Sequence, residues 1–343
     1  TAISVEDIEA VSPLLIGSGA AALGAWRLRA SGQSEVPAAD SLRQSARILA
    51  LEDMAHFRAV AHLSSLLGTI GVTALIFKGW AASKFYAEPW LRPYGDLDIL
   101  VLPAEYQAAT AALQVHAIAR MSDSACGEFY IECGGSTKAY AVDLHAALPL
   151  AYASDLDDLF ARATRAATPN AALLVPSPED HLRIVIIHLL KHGAWRPLWL
   201  CDVAAMVEAA SPDFDWDSCL TSDHRIADWI VAVVALASRL LECRINHLPV
   251  LIQNFEVPKW IELCVLKEWE APYAARFRVR RLAAVRDPAA WLRARWPNPI
   301  MASFEQGGKV GDGPKLAYQL ANFLVHVRKG LVNLSTPVWW RKC

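Results

Sequence analysis

Apolar residues in the first part of the chain recur three and four positions apart, as at Ile48, Phe57, Val60 and Leu67. This spacing places them along the face of an α-helix, and no stretch of the region alternates strictly between apolar and polar residues. The pattern therefore predicts a helical segment over residues 1–70.

Short runs of apolar and β-branched residues replace this pattern after residue 70. The run 72–77 predicts a strand that ends at Lys78-Gly79, and residues 80–86 predict a short helix after it. Residues 96–101 alternate between acidic and apolar side chains before becoming fully apolar. They predict a second strand whose polar side chains share one face.

Three further elements complete the middle of the chain. Residues 103–115 predict a helix, because a proline opens the segment and helical spacing follows. Residues 128–133 and 140–145 predict two more strands. Beyond Pro149 no strand is predicted, and the remaining sequence is typical of helices separated by proline-marked breaks.

The predicted elements describe an α+β protein in three parts. An N-terminal helical cap covers residues 1–70, and a core built on a small mixed β-sheet covers residues 71–150. A mostly helical region covers residues 151–343. The strands, and with them the candidate chemistry, are therefore expected in the middle part.

Charge and composition narrow the range of partners. The 343 residues include 33 Lys and Arg against 35 Asp and Glu, a formal net charge of −2, so no nucleic-acid partner is expected. No apolar run reaches the roughly 18 residues of a membrane span, and residues 229–241, the longest candidate, include Arg239. We expect a cytoplasmic protein without a membrane partner.

The seven cysteines form no Cys-x-x-Cys pair and are expected to be reduced thiols. Nothing in the pattern indicates an oligomeric state.

Three acidic residues lie on the polar faces of two predicted strands, Asp96 and Asp98 on one and Asp143 on the other. Carboxylate oxygens are the ligands that Mg²⁺ prefers, and two such ions can activate the attacking hydroxyl and stabilise the leaving oxygen in nucleotidyl transfer. The acids therefore predict a catalytic metal site for Mg²⁺, with Mn²⁺ as the alternative, and an NTP as co-substrate.

Basic groups and a glycine accompany these acids. Lys78 and Gly79 end the first strand, where the free N–H groups of a following helix favour phosphate binding. Arg92 lies in the loop before the second strand. All three are predicted to bind the nucleotide. The alternatives are a solvated Lys78 and an ion pair of Arg92 with Asp96 or Asp98.

Taken in order, these motifs resemble the uncharacterised nucleotidyltransferase family of the DNA polymerase β-like superfamily. Its pattern is a Lys-Gly turn, an Arg-Pro-x-Gly-Asp-x-Asp strand and a later Val-Asp-x-His strand. The matching segments are Leu75-Ile76-Phe77-Lys78-Gly79, Phe85-Tyr86, Arg92-Pro93-Tyr94-Gly95-Asp96-Leu97-Asp98 and Val142-Asp143-Leu144-His145. The resemblance is strongest over residues 71–149 and extends more weakly from Ser177 to Asp202. It departs at Trp80, where the wider superfamily usually has a serine that contacts phosphate.

The resemblance implies a nucleotidyltransferase core in which Asp96 and Asp98 hold both metal ions. Asp143 would be the third carboxylate, on the catalytic ion, and Lys78-Gly79 the phosphate turn. It also implies that an NMP is moved from an NTP to the hydroxyl or phosphate of a small biosynthetic acceptor, a peptide natural product or a sugar. Pyrophosphate would be released.

Further candidates lie on the strand that carries Asp143 and in the helical region. His145 shares a strand face with the third acid, and either orients the acceptor, acts as a base or has a structural role. Lys191, His192 and Asp202 are candidates for a cleft where they contact the nucleotide or the acceptor. His188 and His192 are four residues apart, but the segment lacks the Glu of a His-Glu-x-x-His zinc site.

Two other functions remain open at this point. The same site could transfer a phosphoryl group, as a kinase does, or a sugar phosphate to a peptide natural product. Alternatively the chain is a non-catalytic binding or scaffold protein. The arginine-rich stretch Arg276–Arg295 would then hold a partner, although a solvated helix face also accounts for it.

Overall fold

A computed structural model describes residues 3–123, 126–132, 139–148, 155–168, 173–220, 223–270, 296–311 and 315–335. The chain divides into two compact units, one of Thr1–Val185 with Cys201–Cys219 and the other of Ile186–Leu200 with Leu220–Cys343. No helix in this described part is both long and apolar enough to cross a membrane.

The helices have the following bounds in the described part of the chain. They are α1 (Val5–Ser18), α2 (Ala21–Ala30), α3 (Asp40–Thr69), α4 (Gly79–Ser83), α5 (Tyr106–His116), α6 (Leu156–Arg162), α7 (Pro178–Lys191), α8 (Pro197–Glu208), α9 (Trp216–Leu220), α10 (His224–Leu241), α11 (Val250–Gln253), α12 (Lys259–Trp269), α13 (Pro299–Glu305) and α14 (Lys315–Ser335). Helices α1 to α3 confirm the helical N-terminal segment. Of its periodic apolar residues, Val60 and Leu67 are buried, whereas Ile48 and Phe57 are exposed.

The described residues of the first unit form a seven-stranded sheet in the order β3-β4-β5-β2-β1-β7-β6. The strands are β1 (Ala74–Phe77), β2 (Asp96–Leu100), β3 (Ala117–Asp123), β4 (Cys126–Glu132), β5 (Ala139–His145), β6 (Thr164–Arg165) and β7 (Leu173–Val175). Strand β2 runs antiparallel to β1 and parallel to β5, so the sheet is mixed. The predicted α+β fold with a mixed sheet and helical flanks is confirmed.

Three strands were not predicted. Strand β3 lies at one edge of the sheet. Strands β6 and β7 lie beyond Pro149, so the prediction that strands stop there is wrong. These two strands are too short to show a period of two, and β7 pairs with β1, with Leu173 opposite Ala74. The predicted boundary at residue 150 stays a prediction.

One face of the sheet is packed against helices. Val142 and Leu144 of β5 belong to one hydrophobic cluster with Leu63 of α3 and Leu113 of α5, and all four are fully buried. Burying a leucine side chain stabilises a fold by about 2 kcal/mol. Because side chains alternate along a strand, the residues between Val142 and Leu144 and on either side of them point to the other face.

The second unit is helical in its described residues. In α10 the carboxylate of Asp223 caps the first turn by accepting hydrogen bonds from the N–H groups of Arg225 and Ile226. Trp229 of the same helix is fully buried, and its indole N–H donates to the carbonyl of Gly308 at 2.9 Å. This satisfies the polar atom of a large apolar side chain.

Candidate active site

The parallel pairing of β2 with β5 brings two of the candidate acids side by side. Asp98 pairs in register with Asp143, while Asp96 lies two residues earlier on β2, opposite Ala141. Asp98 is buried, Asp143 is half-buried and Asp96 is exposed. Since residues two apart on a strand share a face, all three carboxylates lie on the same side of the sheet.

Lys78 follows β1 and reaches this acidic face. Its Nζ donates to Asp98 Oδ1 at 2.6 Å, and both side chains are largely buried. The backbone of Lys78 has φ 56° and ψ −133°. Such a conformation costs a non-glycine residue on the order of 1–3 kcal/mol, and strain of this kind clusters at functional sites.

Gly79 opens α4 at a point where a side chain does not fit. A Cβ on Gly79 would lie 2.9 Å from Cβ of Tyr94, closer than van der Waals contact. Tyr94 belongs to the loop that leads into Asp96. The missing side chain at Gly79 therefore allows that loop to pack against the turn after β1.

His145 ends β5, two residues after Asp143, and lies on the same face. Its Nε2 is 3.4 Å from Asp98 Oδ1. One ligand atom from each of Asp98, Asp143 and His145 lies within 4.8 Å of the other two, which makes these residues a group able to hold a metal ion.

The charges of this face perturb one another. Burial alone would raise the pKa of Asp98, but the Lys78 ammonium and His145 hold it well below its usual range. Burial, followed by the negative charges of Asp98 and Asp96, raises the pKa of Asp143 to about 6. Partial burial and the charge of Asp98 also raise the pKa of Asp96. The face carries more negative charge than Lys78 neutralises, and this favours a cation.

Glu128 on β4 is a fourth acid that sequence reasoning missed. It lies opposite Asp143 in the antiparallel pairing of β4 with β5, and it accepts a hydrogen bond from the Tyr130 hydroxyl at 2.6 Å. Glu128 opens a predicted strand, and the alternation of that strand places it on one face with Tyr130. Only the register between the two strands shows which acid it faces.

Arg92 lies in a buried ion pair with Asp202 of α8. Its Nε donates to Asp202 Oδ1 at 3.0 Å and its Nη2 to Oδ2 at 2.7 Å, and the Tyr86 hydroxyl donates to the same carboxylate at 2.7 Å. The third nitrogen of Arg92 donates to the Pro93 carbonyl at 3.2 Å. Burial lowers the pKa of the guanidinium, but Asp202 outweighs it and raises the pKa. The predicted contact of Arg92 with the nucleotide stays a prediction.

His181 of α7 lies beside this ion pair and was not singled out by the sequence. It is buried, and its ring packs edge-on against Phe85 with centroids 5.7 Å apart. Its Nε2 has no hydrogen-bond partner within the described part of the chain. Burial lowers the pKa of His181 to about 4, so the imidazole is neutral at pH 7.

Lys191 and His192 belong to the second unit. Lys191 ends α7, and the ring of His192 lies 4.5 Å from that of His188 and 5.2 Å from that of Trp199, measured between centroids. Their predicted contact with the nucleotide stays a prediction. The arginine-rich stretch Arg276–Arg295 lies outside the described residues.

Comparison with known proteins points to one type of activity. Residues 4–242 match a protein family described as "Uncharacterised nucleotidyltransferase". No curated protein matches the chain. A similar solved structure is an antigenic nucleotidyltransferase-like protein from Paracoccidioides brasiliensis, with 14% sequence identity, 53% of this chain and 87% of that chain covered, and a TM-score of 0.38. The family match covers most of the chain, including every residue of the acidic face.

Proposed function

Because the chain belongs to the uncharacterised nucleotidyltransferase family, we propose that it moves an NMP from an NTP to the hydroxyl or phosphate of a small biosynthetic acceptor. Membership confirms the resemblance found in the sequence and makes the chain a nucleotidyltransferase. The acceptor class, a peptide natural product or a sugar, is part of the proposal. The observation that carries it is the in-register pair of Asp98 and Asp143 with Lys78 at the same point.

The acidic face fits a divalent cation. Asp98 and Asp143 would hold it, and Asp96 lies on the same face two residues along β2. The fit rests on the donors themselves: hard carboxylate oxygens lie in a group that already binds the Lys78 ammonium at Asp98 Oδ1. A bound Mg²⁺ or Mn²⁺ would supply charge stabilisation and lower the pKa of the attacking hydroxyl.

The side chains of this face have separate tasks in the proposed reaction. Lys78 presents a positive charge and N–H donors to the triphosphate, and its strained backbone restricts where the ammonium can lie. Gly79 lets the turn approach the loop before β2, so that the phosphates and the acids meet at one place. Asp96, whose side chain is exposed, would be the first of the three acids that an entering substrate meets. Positioning and charge of this kind supply most of the catalysis in phosphoryl transfer.

A small acceptor is favoured over a nucleic-acid primer. The formal net charge of the chain is −2, whereas proteins that bind nucleic acid carry an excess of basic residues on the binding face. The face described here is acidic, because Asp96, Asp98 and Asp143 lie on it together. We therefore place the specificity for the acceptor outside the two acidic strands.

The experiment follows pyrophosphate release and product mass with each NTP in turn, with Mg²⁺ or Mn²⁺ and a cell extract as the source of acceptor. We expect release with the wild type, and a loss of about 100-fold or more in Asp98→Asn. Asp213→Asn removes an exposed carboxylate of the same unit and is the matched control, expected to keep full activity.

Other outcomes would contradict the proposal. Orthophosphate or a nucleoside diphosphate as the product would indicate phosphoryl transfer at the same site. Full activity of Asp98→Asn would show that the acidic face is not the catalytic site. NTP binding without turnover, in the presence of every acceptor fraction, would favour the binding-protein alternative.

A further inference from the structure

The imidazole of His145 is held facing the paired acids. The His145 carbonyl accepts a hydrogen bond from the N–H of Val101 at 3.0 Å, which ties the end of β5 to the end of β2. The ring packs edge-on against Phe77, with centroids 5.6 Å apart, and the side chain is 16% exposed. These contacts leave the ring little freedom to turn away from the acids.

The distances around His145 approach those of a metal centre. Its Nε2 lies 3.4 Å from Asp98 Oδ1, and the ligand atoms of Asp98, Asp143 and His145 all lie within 4.8 Å of one another. Ligands of one ion, bound at about 2.1 Å, are separated by roughly 3–4 Å, so small side-chain movements would close this set. Within the described part of the chain, Asp96 falls outside this group.

The donors of the group differ from those of a carboxylate-only site. Two oxygens and one imidazole nitrogen suit first-row transition ions, whereas Mg²⁺ prefers oxygen donors alone. The group already accepts a positive charge, since the Lys78 ammonium lies 2.6 Å from Asp98 Oδ1. A cation bound there would take over this role from Lys78.

We infer that His145 Nε2 is a metal ligand together with Asp98 and Asp143, and that the site selects a first-row transition ion, with Mn²⁺ as the probe of that class, over Mg²⁺. The inference rests on the proposed function for the presence of a catalytic ion. It assigns the imidazole to the metal instead of to the acceptor.

The test uses Mn²⁺ alone, added to the full chain after removal of any affinity tag. Pulsed EPR detects the nitrogen of a directly bound imidazole as a modulation of the Mn²⁺ signal. We expect this modulation in the wild type and in His62→Gln, a control in the same unit, and its loss in His145→Gln. Mn²⁺ affinity should fall in His145→Gln by at least the roughly 10–100-fold that loss of an outer-shell partner costs.

Competition with Mg²⁺ tests the selectivity. The wild type should need a far larger excess of Mg²⁺ to displace Mn²⁺ than His145→Gln does. The inference would be overturned if the wild type lacked the nitrogen modulation or if His145→Gln kept it. It would also be overturned if both proteins needed the same excess of Mg²⁺ to displace Mn²⁺. Pyrophosphate release on the same preparations separates the two proposals, because release without nitrogen ligation refutes only the role of His145.

Discussion

Replacing Asp202 by alanine would leave the Arg92 guanidinium buried without its counter-charge. Asp202 and Arg92 are 2% and 5% exposed, respectively, and are joined by hydrogen bonds of 2.7, 3.0 and 3.3 Å. The Tyr86 hydroxyl would lose its acceptor as well. Water cannot readily replace these contacts, because the pair is almost completely enclosed.

The magnitude follows from the burial of the pair. Removing one partner of a buried ion pair costs about 3–5 kcal/mol. Loss of the acceptor of the Tyr86 hydroxyl adds only about 1 kcal/mol. The addition is small because the Arg92 and Tyr86 contacts end on the same carboxylate, so their losses overlap. For a unit of roughly 200 residues, 1 kcal/mol lowers the Tm by about 2–4 °C, so Asp202→Ala should lower it on the order of 10–20 °C.

Thermal unfolding followed by circular dichroism measures this shift. The control is Glu35→Ala, which removes an exposed carboxylate 3.4 Å from Arg43 and should leave the Tm unchanged within error. A second variant, Arg92→Met with Asp202→Leu, removes both charges and should recover part of the loss, because no unpaired charge remains buried.

Two results would refute this reasoning. A fall in Tm of less than about 2 °C in Asp202→Ala would mean that the guanidinium finds water or another partner. A double variant less stable than Asp202→Ala would mean that the pair stabilises the fold through its shape rather than through its charges.

Three further predictions concern neighbouring residues. Lys78→Met should raise the KM for the NTP by about 10–100-fold, the loss expected for a charged hydrogen bond, and an unchanged KM would exclude phosphate binding by this side chain. Gly79→Ala should lower the Tm and the activity, because the added Cβ would collide with Tyr94. Gly95→Ala should lower neither, because no atom lies within 4 Å of the added Cβ. Equal effects of the two variants would contradict the steric argument. His181 has a pKa near 4 in the fold against 6.5 for the free side chain, so the stability it contributes is complete above pH 6.5 and falls as the pH drops towards 4. The loss is about 3 kcal/mol, so the difference in Tm between wild type and His181→Leu should shift over this pH range. A constant difference would show that the pKa of His181 is the same in the folded and unfolded states.

The acidic face is the part of the molecule that local sequence predicts best. Alternation over residues 96–101 and 140–145 decides which side chains share a face, and the structure has strands in both places. Asp96 and Asp98 therefore lie on one face, as do Asp143 and His145, as their spacing of two residues predicts. Strand periodicity is a local property, and a single sequence contains it.

Contacts between residues and strands that are far apart in the sequence could not be predicted from the sequence pattern. The partner of Arg92 lies 110 residues away, on α8, whereas the ion pair that the sequence left open as an alternative was with Asp96 or Asp98. Strand β7 has three residues, and its place beside β1 depends on packing rather than on pattern. The position of Glu128 opposite Asp143 likewise depends on a register that alternation leaves undetermined.

The in-register pairing of β2 with β5 makes the site intolerant of insertions. Val142 and Leu144 alternate with Asp143 and His145, so a shift of one residue in β5 would turn its acid into the hydrophobic cluster and its leucine onto the acidic face. Divergence within such a chain can therefore proceed through the loops and helices around these two strands. An enzyme engineer who wishes to change what is modified would leave β2 and β5 untouched and vary the surrounding segments.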